Sequence, residues 1–318
     1  MGYGLCGGFA VESCGMGKAG TTGAEAAKQG GSVLKGVLCL VASAFGFALM
    51  GMFVRMADLH GDPVPALQKS FFRNVVALAI AAAMFAKAAP RRGFLGEGPA
   101  ARRWGVLAMR AAFGTLGIFG NFYALGRLDL GDAMMLNKLA PFFAVLFSWA
   151  FLGERLSPRQ GLCLLGAMAG AALVVKPGFG AVPAVPALCG LGGGVCAGAA
   201  YACVHTLGRM KMDGRFIVLF FSASSTLATA PSLVFDYHPM TAAQTLILAG
   251  AGAGAAMGQF GVTAAYRFAE PRRIAVFDYT NILFAALLGH LAFGQTPDAL
   301  SWCGFAAIVA MAALMRGR

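Results

Sequence analysis

Long apolar stretches, separated by short polar turns, follow one another from about residue 34 to the end of the chain. Each stretch holds about 20 apolar residues, the length that an α-helix needs to cross the ~30 Å hydrocarbon core of a bilayer. The pattern predicts ten spanning helices, at roughly 34–56, 65–87, 104–125, 131–153, 159–176, 186–207, 216–236, 242–264, 273–294 and 299–316. The loops are too short for a soluble domain, so any functional site must lie among the helices.

The fourth stretch differs from a plain apolar span because it contains polar residues. Residues 133–153 read AMMLNKLAPFFAVLFSWAFLG, with Asn137, Lys138 and Pro141 in the first three turns. A lysine is costly in hydrocarbon, and a proline inside a helix removes a backbone donor and bends the helix. Such a segment is tolerated only where its polar face meets protein or water. The stretch therefore predicts the wall of a polar pathway.

The same stretch has a counterpart later in the chain. A shift of 141 residues, without gaps, aligns Phe143 with Phe284 and Gly153 with Gly294. The next apolar segment follows each glycine at matched spacing. The alignment predicts an internal duplication, with a first repeat over 33–177 and a second over 186–316.

Composition agrees with a membrane protein. Hydrophobic residues make up 58% of the 318 positions and charged residues only 12%, whereas a soluble chain has roughly 25% charged residues. A net charge of +12 would suggest nucleic acid if it lay on a soluble domain, but the basic residues stand between apolar segments. The expected surroundings are therefore a lipid bilayer, with no nucleic-acid partner. The eight cysteines show no ligand spacing, and neither a metal nor a cofactor is predicted.

The basic residues occupy alternate loops, which sets the expected orientation. By the positive-inside rule these loops are cytoplasmic, as are both termini, in the cell (inner) membrane. They include Lys87, Arg91, Arg102, Arg155, Arg209 and Arg267. Residues 1–32 lack the apolar core of a signal peptide and are predicted to form a disordered cytoplasmic tail. Because each half has five spans, the second half must enter the membrane upside down, as an inverted repeat.

Residues 122–157 carry a resemblance to a known family. The run FYALGRLDLGDAMMLNKLAPFFAVLFSWAFLGERLS, with its Ala-Leu pair, its proline and its Leu-Gly-Glu-Arg turn, resembles the EamA-type domain of the drug/metabolite transporter superfamily. The resemblance extends over about 34–316 and is stronger in the first half. In the second half Ile282 replaces the proline, and Gly294-Gln295-Thr296 replaces the Gly-Glu-Arg turn. The resemblance implies a ten-helix carrier that moves a small metabolite by alternating access.

Basic side chains inside the spans are the first candidates for a binding site. Lys69 lies about one turn from the outer end of its helix, where it is expected to snorkel, and Arg73 follows four residues later on the same face. Arg110 lies about 9 Å from the cytoplasmic end of its span and Lys138 about 10 Å from the outer interface. Each of these two either lines the cavity or reaches the nearer interface, and the sequence leaves both alternatives open.

The second repeat supplies the opposite charge. Asp278 is the only acid well inside a predicted span; the shift places it opposite Asn137 and places Tyr279 opposite Lys138. Inverted repeats build their site between corresponding helices. The predicted substrate-binding residues are Arg73, Arg110, Asn137, Lys138, Pro141, Asp278 and Tyr279. A structural ion pair of Asp278 with Arg273 or with a neighbouring helix is the alternative for that acid.

These features together favour a secondary transporter over an enzyme. The excess of basic residues in the spans predicts a substrate with a carboxylate or phosphate, such as an amino acid or another small zwitterionic or anionic metabolite. The alternative is an integral membrane enzyme acting on a lipid-linked substrate. The nearest acidic pairs, Asp58/Asp62 and Asp129/Asp132, lie on outer loops without a third partner, and no catalytic residue is predicted.

Three further features bear on packing. Glycines recur at four-residue spacing, for instance Gly190, Gly194 and Gly198, and are expected to let helices pack closely within a monomer or a homodimer. His205 is expected to be a packing residue rather than a proton relay. Tyr266 is expected in an interfacial aromatic belt.

Overall fold

The computed structural model describes residues 17–87, 93–125, 127, 136–175, 183–235, 237–294 and 297–316. These residues form ten long helices and no β-strand. The helices are α1 (Gly17–Ala57), α2 (Ala66–Lys87), α3 (Ala100–Leu125), α4 (Ala140–Leu152), α5 (Pro158–Val175), α6 (Ala184–Arg209), α7 (Gly214–Thr229), α8 (Ala242–Phe268), α9 (Thr280–Phe293) and α10 (Ala299–Arg316).

Apolar length identifies the membrane-crossing elements. Seven helical segments of the described chain are long and apolar enough to span a bilayer: Ser32–Ala57, Ala66–Lys87, Ala100–Ala124, Ala184–Arg209, Gly214–Phe235, Ala242–Phe268 and Pro271–Phe293. Two shorter apolar helices, Ala140–Leu152 and Ala299–Met315, and the 18-residue α5 complete the set. The chain is a polytopic membrane protein with ten transmembrane helices, as the sequence predicts.

The beginning of α1 differs from the prediction. The helix starts at Gly17, so residues 17–32, predicted as part of a disordered tail, are helical. The run Ala-Glu-Ala-Ala-Lys at 24–28 consists of strong helix formers, which accounts for the longer helix. Residues 1–16, the rest of that predicted tail, lie outside the described residues.

Helix packing repeats with an offset of five helices. The contact of α1 with α8 corresponds to that of α6 with α3, and the contact of α1 with α9 corresponds to that of α6 with α4. Helices α2 and α7 pack on each other, as do α5 and α10, so each of these pairs is its own counterpart. Replacing each helix by its counterpart five positions away therefore reproduces these contacts, as expected for two five-helix repeats related by a pseudo-two-fold axis.

Two glycines mark equivalent helix ends in the repeats. Gly153 follows α4 with φ 68° and Gly294 follows α9 with φ 65°. Both are left-handed caps, a conformation that glycine adopts without steric cost. They stand 141 positions apart, the shift found in the sequence.

Closely spaced glycines bring the repeats together. A Cβ added at Gly46 of α1 would lie 2.7 Å from the backbone nitrogen of Gly258 in α8, and one at Gly198 of α6 would lie 2.8 Å from the nitrogen of Ala144 in α4. No side chain fits at such distances. The small residues therefore serve packing within the bundle.

The loops gather on two opposite faces. On one face, Arg272 donates to the Arg155 carbonyl (2.5 Å) and Arg159 donates to the Leu314 carbonyl (2.7 Å). The loops 93–99, 153–157, 210–213 and 269–270, with the helix ends beside them, form what we call the basic face. On the opposite face, the Lys69 ammonium donates to Asp58 (2.7 Å), which places Lys69 at the helix end where it was predicted to snorkel.

Candidate functional site

The fourth span is interrupted at its polar residues. Residues 138–139 form a turn, and α4 begins only at Ala140, so that Pro141 stands at its first turn. A proline is well tolerated there because its missing N–H has no intrahelical partner in any case. The prediction of one continuous helix over 131–153 is therefore corrected, although residues 131–135 lie outside the described residues.

The ninth span is interrupted at the matching place without a proline. A single turn, Pro271–Ile274, leads into a 3₁₀ helix over Ala275–Tyr279, and α9 follows from Thr280. A 3₁₀ stretch within a span has poorer hydrogen-bond geometry and marks a strained or hinge-like position. Ile274, Val276 and Tyr279 have no exposed surface, so packing on the neighbouring helices holds this stretch in a form that the sequence pattern did not predict.

Lys138 and Tyr279, equivalent in the two repeats, contact each other. The Tyr279 hydroxyl donates to the Lys138 carbonyl oxygen at 2.9 Å, and the Lys138 ammonium donates to Asn281 Oδ1. The Asn281 amide in turn donates to the Ala44 carbonyl of α1 (2.8 Å). Residues that are equivalent under a two-fold axis can touch only beside that axis. We call Lys138, Asp278, Tyr279 and Asn281 the central cluster.

Asp278 completes the central cluster through its charge. Its side chain is buried, and it lies close enough to Lys138 to interact electrostatically. Among the described residues no cationic group comes within ion-pair distance of its carboxylate. The alternative ion pair with Arg273 is not formed, because Arg273 donates to Glu270 (3.2 Å) on the basic face.

Arg110 is a buried cation held by a neutral partner. It is 2% exposed, donates to Gln259 Oε1 of α8 at 2.9 Å, and lies 4.1 Å from the ring centroid of Phe221. Gly114, one turn further along α3, makes the space, since a Cβ there would lie 2.2 Å from the Arg110 guanidinium. The Arg110 side chain therefore lies in the protein interior and does not snorkel to the nearer interface.

Two tyrosines connect Arg110 with the central cluster. Tyr201 lies near both Arg110 and Asp278, and its ring centroid lies 5.2 Å from that of Tyr266. Tyr266 has no exposed surface, so its predicted place in an interfacial belt is wrong. The aromatic pair instead forms part of the protein interior beside Asp278.

Arg73 occupies a separate polar group. It donates to Asn74 Oδ1 (3.1 Å) and to the Met50 sulfur (3.1 Å), and Asn74 donates to Ser225 of α7 (2.8 Å). Met50 lies six residues beyond Ala44 on α1, about 9 Å along the axis, so Arg73 lies away from the central cluster. The remaining predicted site residue, Asn137, is partly buried, and its side chain has no hydrogen-bond partner in the described part of the chain.

Sequence analysis missed a buried pair near the basic face. His205 Nε2 lies 2.7 Å from Glu154 Oε1, and His205 Nδ1 lies 2.8 Å from the Tyr266 carbonyl oxygen. A carbonyl only accepts, so Nδ1 must carry a proton, and the Nε2–Glu154 contact then holds one shared proton whichever group bears it. The pair is electrically neutral in both forms. The glutamate of the Leu-Gly-Glu-Arg turn was the available signal, because an acid beside a span end needs a partner once it is buried.

Two broken helices that cross at a polar cluster within an inverted repeat are the architecture of a membrane transporter. The chain belongs to the EamA-like transporter family, whose sequence pattern it matches over residues 34–176. The pseudopaline exporter CntI of Pseudomonas aeruginosa is 32% identical over 86% of this chain and 93% of its own length. A riboflavin transporter of Rhizobium johnstonii is 26% identical over 68% of this chain and 74% of its own.

A solved crystal structure shares the fold. It superposes with a TM-score of 0.73 at 19% identity, covering 86% of this chain and 96% of the other. With the family membership, these relatives identify a transporter of small metabolites and disfavour the membrane-enzyme alternative.

Proposed function

We propose that this protein carries a small metabolite with a carboxylate or phosphate group, zwitterionic or anionic, across the cell membrane by alternating access. The substrate binds at the central cluster. The relatives named as a pseudopaline exporter and a riboflavin transporter support an organic metabolite as cargo.

The main support for an anionic or zwitterionic substrate is the excess of positive over negative charge among the helices. Arg73, Arg110 and Lys138 are each held by a neutral amide group, Arg73 in its separate polar group. Asp278, beside Lys138, is the one acid of the central cluster, and it has no ion-pair partner within the described residues. The other interior acid, Glu154, is already balanced by His205. A buried charge is costly without a counter-charge. An anionic group of a substrate would supply the missing counter-charge.

The central cluster suits a zwitterion in particular. The Lys138 ammonium offers a donor to a carboxylate, and Asp278 offers an acceptor to an ammonium group. Both belong to interrupted stretches, whose irregular backbone is tolerated in a membrane only where it borders protein or a cavity. Movement of one repeat against the other around these stretches is how inverted repeats alternate access.

The orientation follows from charge. From the positive-inside rule we infer that the basic face and both ends of the chain lie in the cytoplasm. We propose the cell (inner) membrane as the location. Reporter fusions after Leu95 and after Arg318 should both give cytoplasmic signals. An external signal from either fusion contradicts this orientation.

The function is tested by metabolite profiles of cells that express the protein. Cells that express the wild type should differ from empty-vector cells in the level of at least one acidic or zwitterionic metabolite. The Lys138→Ala variant should abolish that difference. Lys69→Ala is the matched control, because it removes a lysine that pairs with Asp58 at the far face. If Lys138→Ala retains the wild-type profile at equal expression, the central cluster is not the binding site.

A further inference from the structure

A pocket opens on the basic face beside the interrupted ninth span. Its volume is about 390 Å³, within the range of small-ligand sites. Apolar residues of α1 and α10 form one side. The other side carries Arg155, Ser157, Gln160, Arg272, Arg273 and Phe277.

The pocket has more positive than negative charge. Glu270 accepts from Arg272 (2.7 Å) and Arg273 (3.2 Å). Burial alone raises the pKa of the Glu270 carboxyl, but hydrogen bonding and attraction to Arg272, with Arg273 and His205 nearby, hold that pKa below its usual range. The carboxylate is thus ionised at neutral pH and balances one arginine. The Arg155 side chain has no hydrogen-bond or ion-pair partner among the described residues.

The first turn of α5 adds backbone polarity. The Ser157 N–H donates to Gln160 Oε1 (3.1 Å) and the Gln160 N–H donates to Ser157 Oγ (3.2 Å). This reciprocal pair is a capping box, which fixes the start of α5 beside the pocket. The positive end of a helix dipole favours an anion. It acts here in the same sense as the arginines.

The pocket lies along the way to the central cluster. Phe277 lines the pocket and directly precedes Asp278. On α1, Val37 lines the pocket and Ala44 accepts from Asn281. These two positions are seven residues apart, or about 10 Å along the helix. The pocket is therefore about two helical turns from the central cluster, on the side of the basic face.

We infer that this pocket is a second binding site, which takes the carboxylate or phosphate group of the metabolite between the basic face and the central cluster. The assignment of the ligand as cargo rests on the proposed function. The anion site itself does not, because it can be measured without transport. The same chemistry could come from the headgroup of an acidic lipid, and the experiment separates the two sources.

The experiment measures thermal stability of the full chain in phosphatidylcholine nanodiscs during titration with inorganic phosphate or succinate, at constant ionic strength set with chloride. The test variant is Arg155→Gln/Arg273→Gln, which keeps Arg272 because that guanidinium also holds the Arg155 carbonyl. The matched control is Arg102→Gln/Arg209→Gln, which removes two exposed charges from the same face. Lys138→Met is included to report on the central cluster separately.

The wild type should be stabilised by phosphate or succinate, and the test variant should bind about tenfold more weakly or worse, as expected for lost charge-assisted hydrogen bonds. The control should bind like the wild type, and in the Lys138→Met background the Arg155→Gln/Arg273→Gln substitutions should still remove the remaining stabilisation. Equal binding by the test variant overturns the inference. Arginine-dependent stabilisation by phosphatidylglycerol in the nanodisc, without any by the soluble anions, also overturns it and assigns a lipid site. Unchanged transport by Lys138→Ala would defeat the proposed function alone.

Discussion

The two repeats share a backbone plan but carry opposite chemistry at their crossing. In the first repeat the interruption presents Lys138, and Arg73 of α2 and Arg110 of α3 are buried cations of the same repeat. In the second repeat the interruption presents Asp278 and Tyr279. Neutral groups of the second repeat hold cations of the first, as Gln259 holds Arg110. Duplication thus preserved the scaffold while the side chains diverged. An asymmetric charge pattern can orient a substrate that is itself asymmetric.

The comparison also shows that a shared break needs no shared residue. Pro141 accompanies the break in the first repeat, and Ile282 occupies its place in the second. The second break is instead held by burial of the 3₁₀ stretch 275–279. Four predictions test how far the equivalence of the repeats extends.

The largest effect is expected from Asp278→Asn, which removes the acid of the second repeat and increases the positive surplus around Lys138. A zwitterionic substrate would lose the acceptor of its ammonium group. Loss of a hydrogen bond to a charged group costs about 1.5–3 kcal/mol, so affinity for a zwitterionic substrate in proteoliposomes should fall about tenfold or more. Lys69→Met at the far face should leave affinity unchanged. The pH gradient is then varied: if only gradient-driven accumulation is lost while exchange persists, Asp278 couples transport to protons instead of balancing charge.

Gly114→Ala tests the cation of the first repeat through the space that it occupies. The added methyl would lie 2.2 Å from the Arg110 guanidinium, and overpacking of this kind costs about 1–3 kcal/mol. We expect a lower melting temperature of the purified protein. Gly105→Ala is the matched control on the same helix, because nothing lies within 4 Å of a Cβ there. Equal melting temperatures for the two variants would contradict the described position of Arg110.

The paired substitutions Gly153→Ala and Gly294→Ala test the equivalence of the helix ends. A left-handed conformation costs an alanine about 1–2 kcal/mol, and neither site has an atom within 4 Å of the new methyl to add a clash. The two losses of unfolding free energy should therefore be equal within about 0.5 kcal/mol. A cost at only one site would mean that the repeats end these helices differently. Asparagine at either site should cost less than alanine.

The smallest effect is expected from Tyr279→Phe, which removes the hydroxyl that donates to the Lys138 carbonyl. A typical hydrogen bond contributes about 1 kcal/mol, so thermal stability should fall slightly and transport should persist. Tyr237→Phe, at a residue that is 56% exposed, is the control. Stability equal to that of the control would show that the contact across the axis contributes nothing.

The length and apolarity of the continuous stretches were sufficient to predict the ten spans, since crossing a bilayer fixes both properties of a helix. The 141-residue shift likewise paired the helix-ending glycines Gly153 and Gly294, because a left-handed helix cap strongly favours glycine. Lys138 and Tyr279 were matched from the sequence alone as equivalent positions. These features depend on local chemistry or on the membrane as a solvent.

Only the tertiary structure decided which polar groups meet. Gln259, Asn281 and Ser225 are unremarkable amides and hydroxyls in apolar helices, and their partners lie on helices that are distant in sequence. The 3₁₀ stretch at 275–279 and the Glu154–His205 pair have the same origin. Hydrogen bonding and burial between helices depend on how the repeats pack against each other, and no local pattern in the sequence encodes that packing.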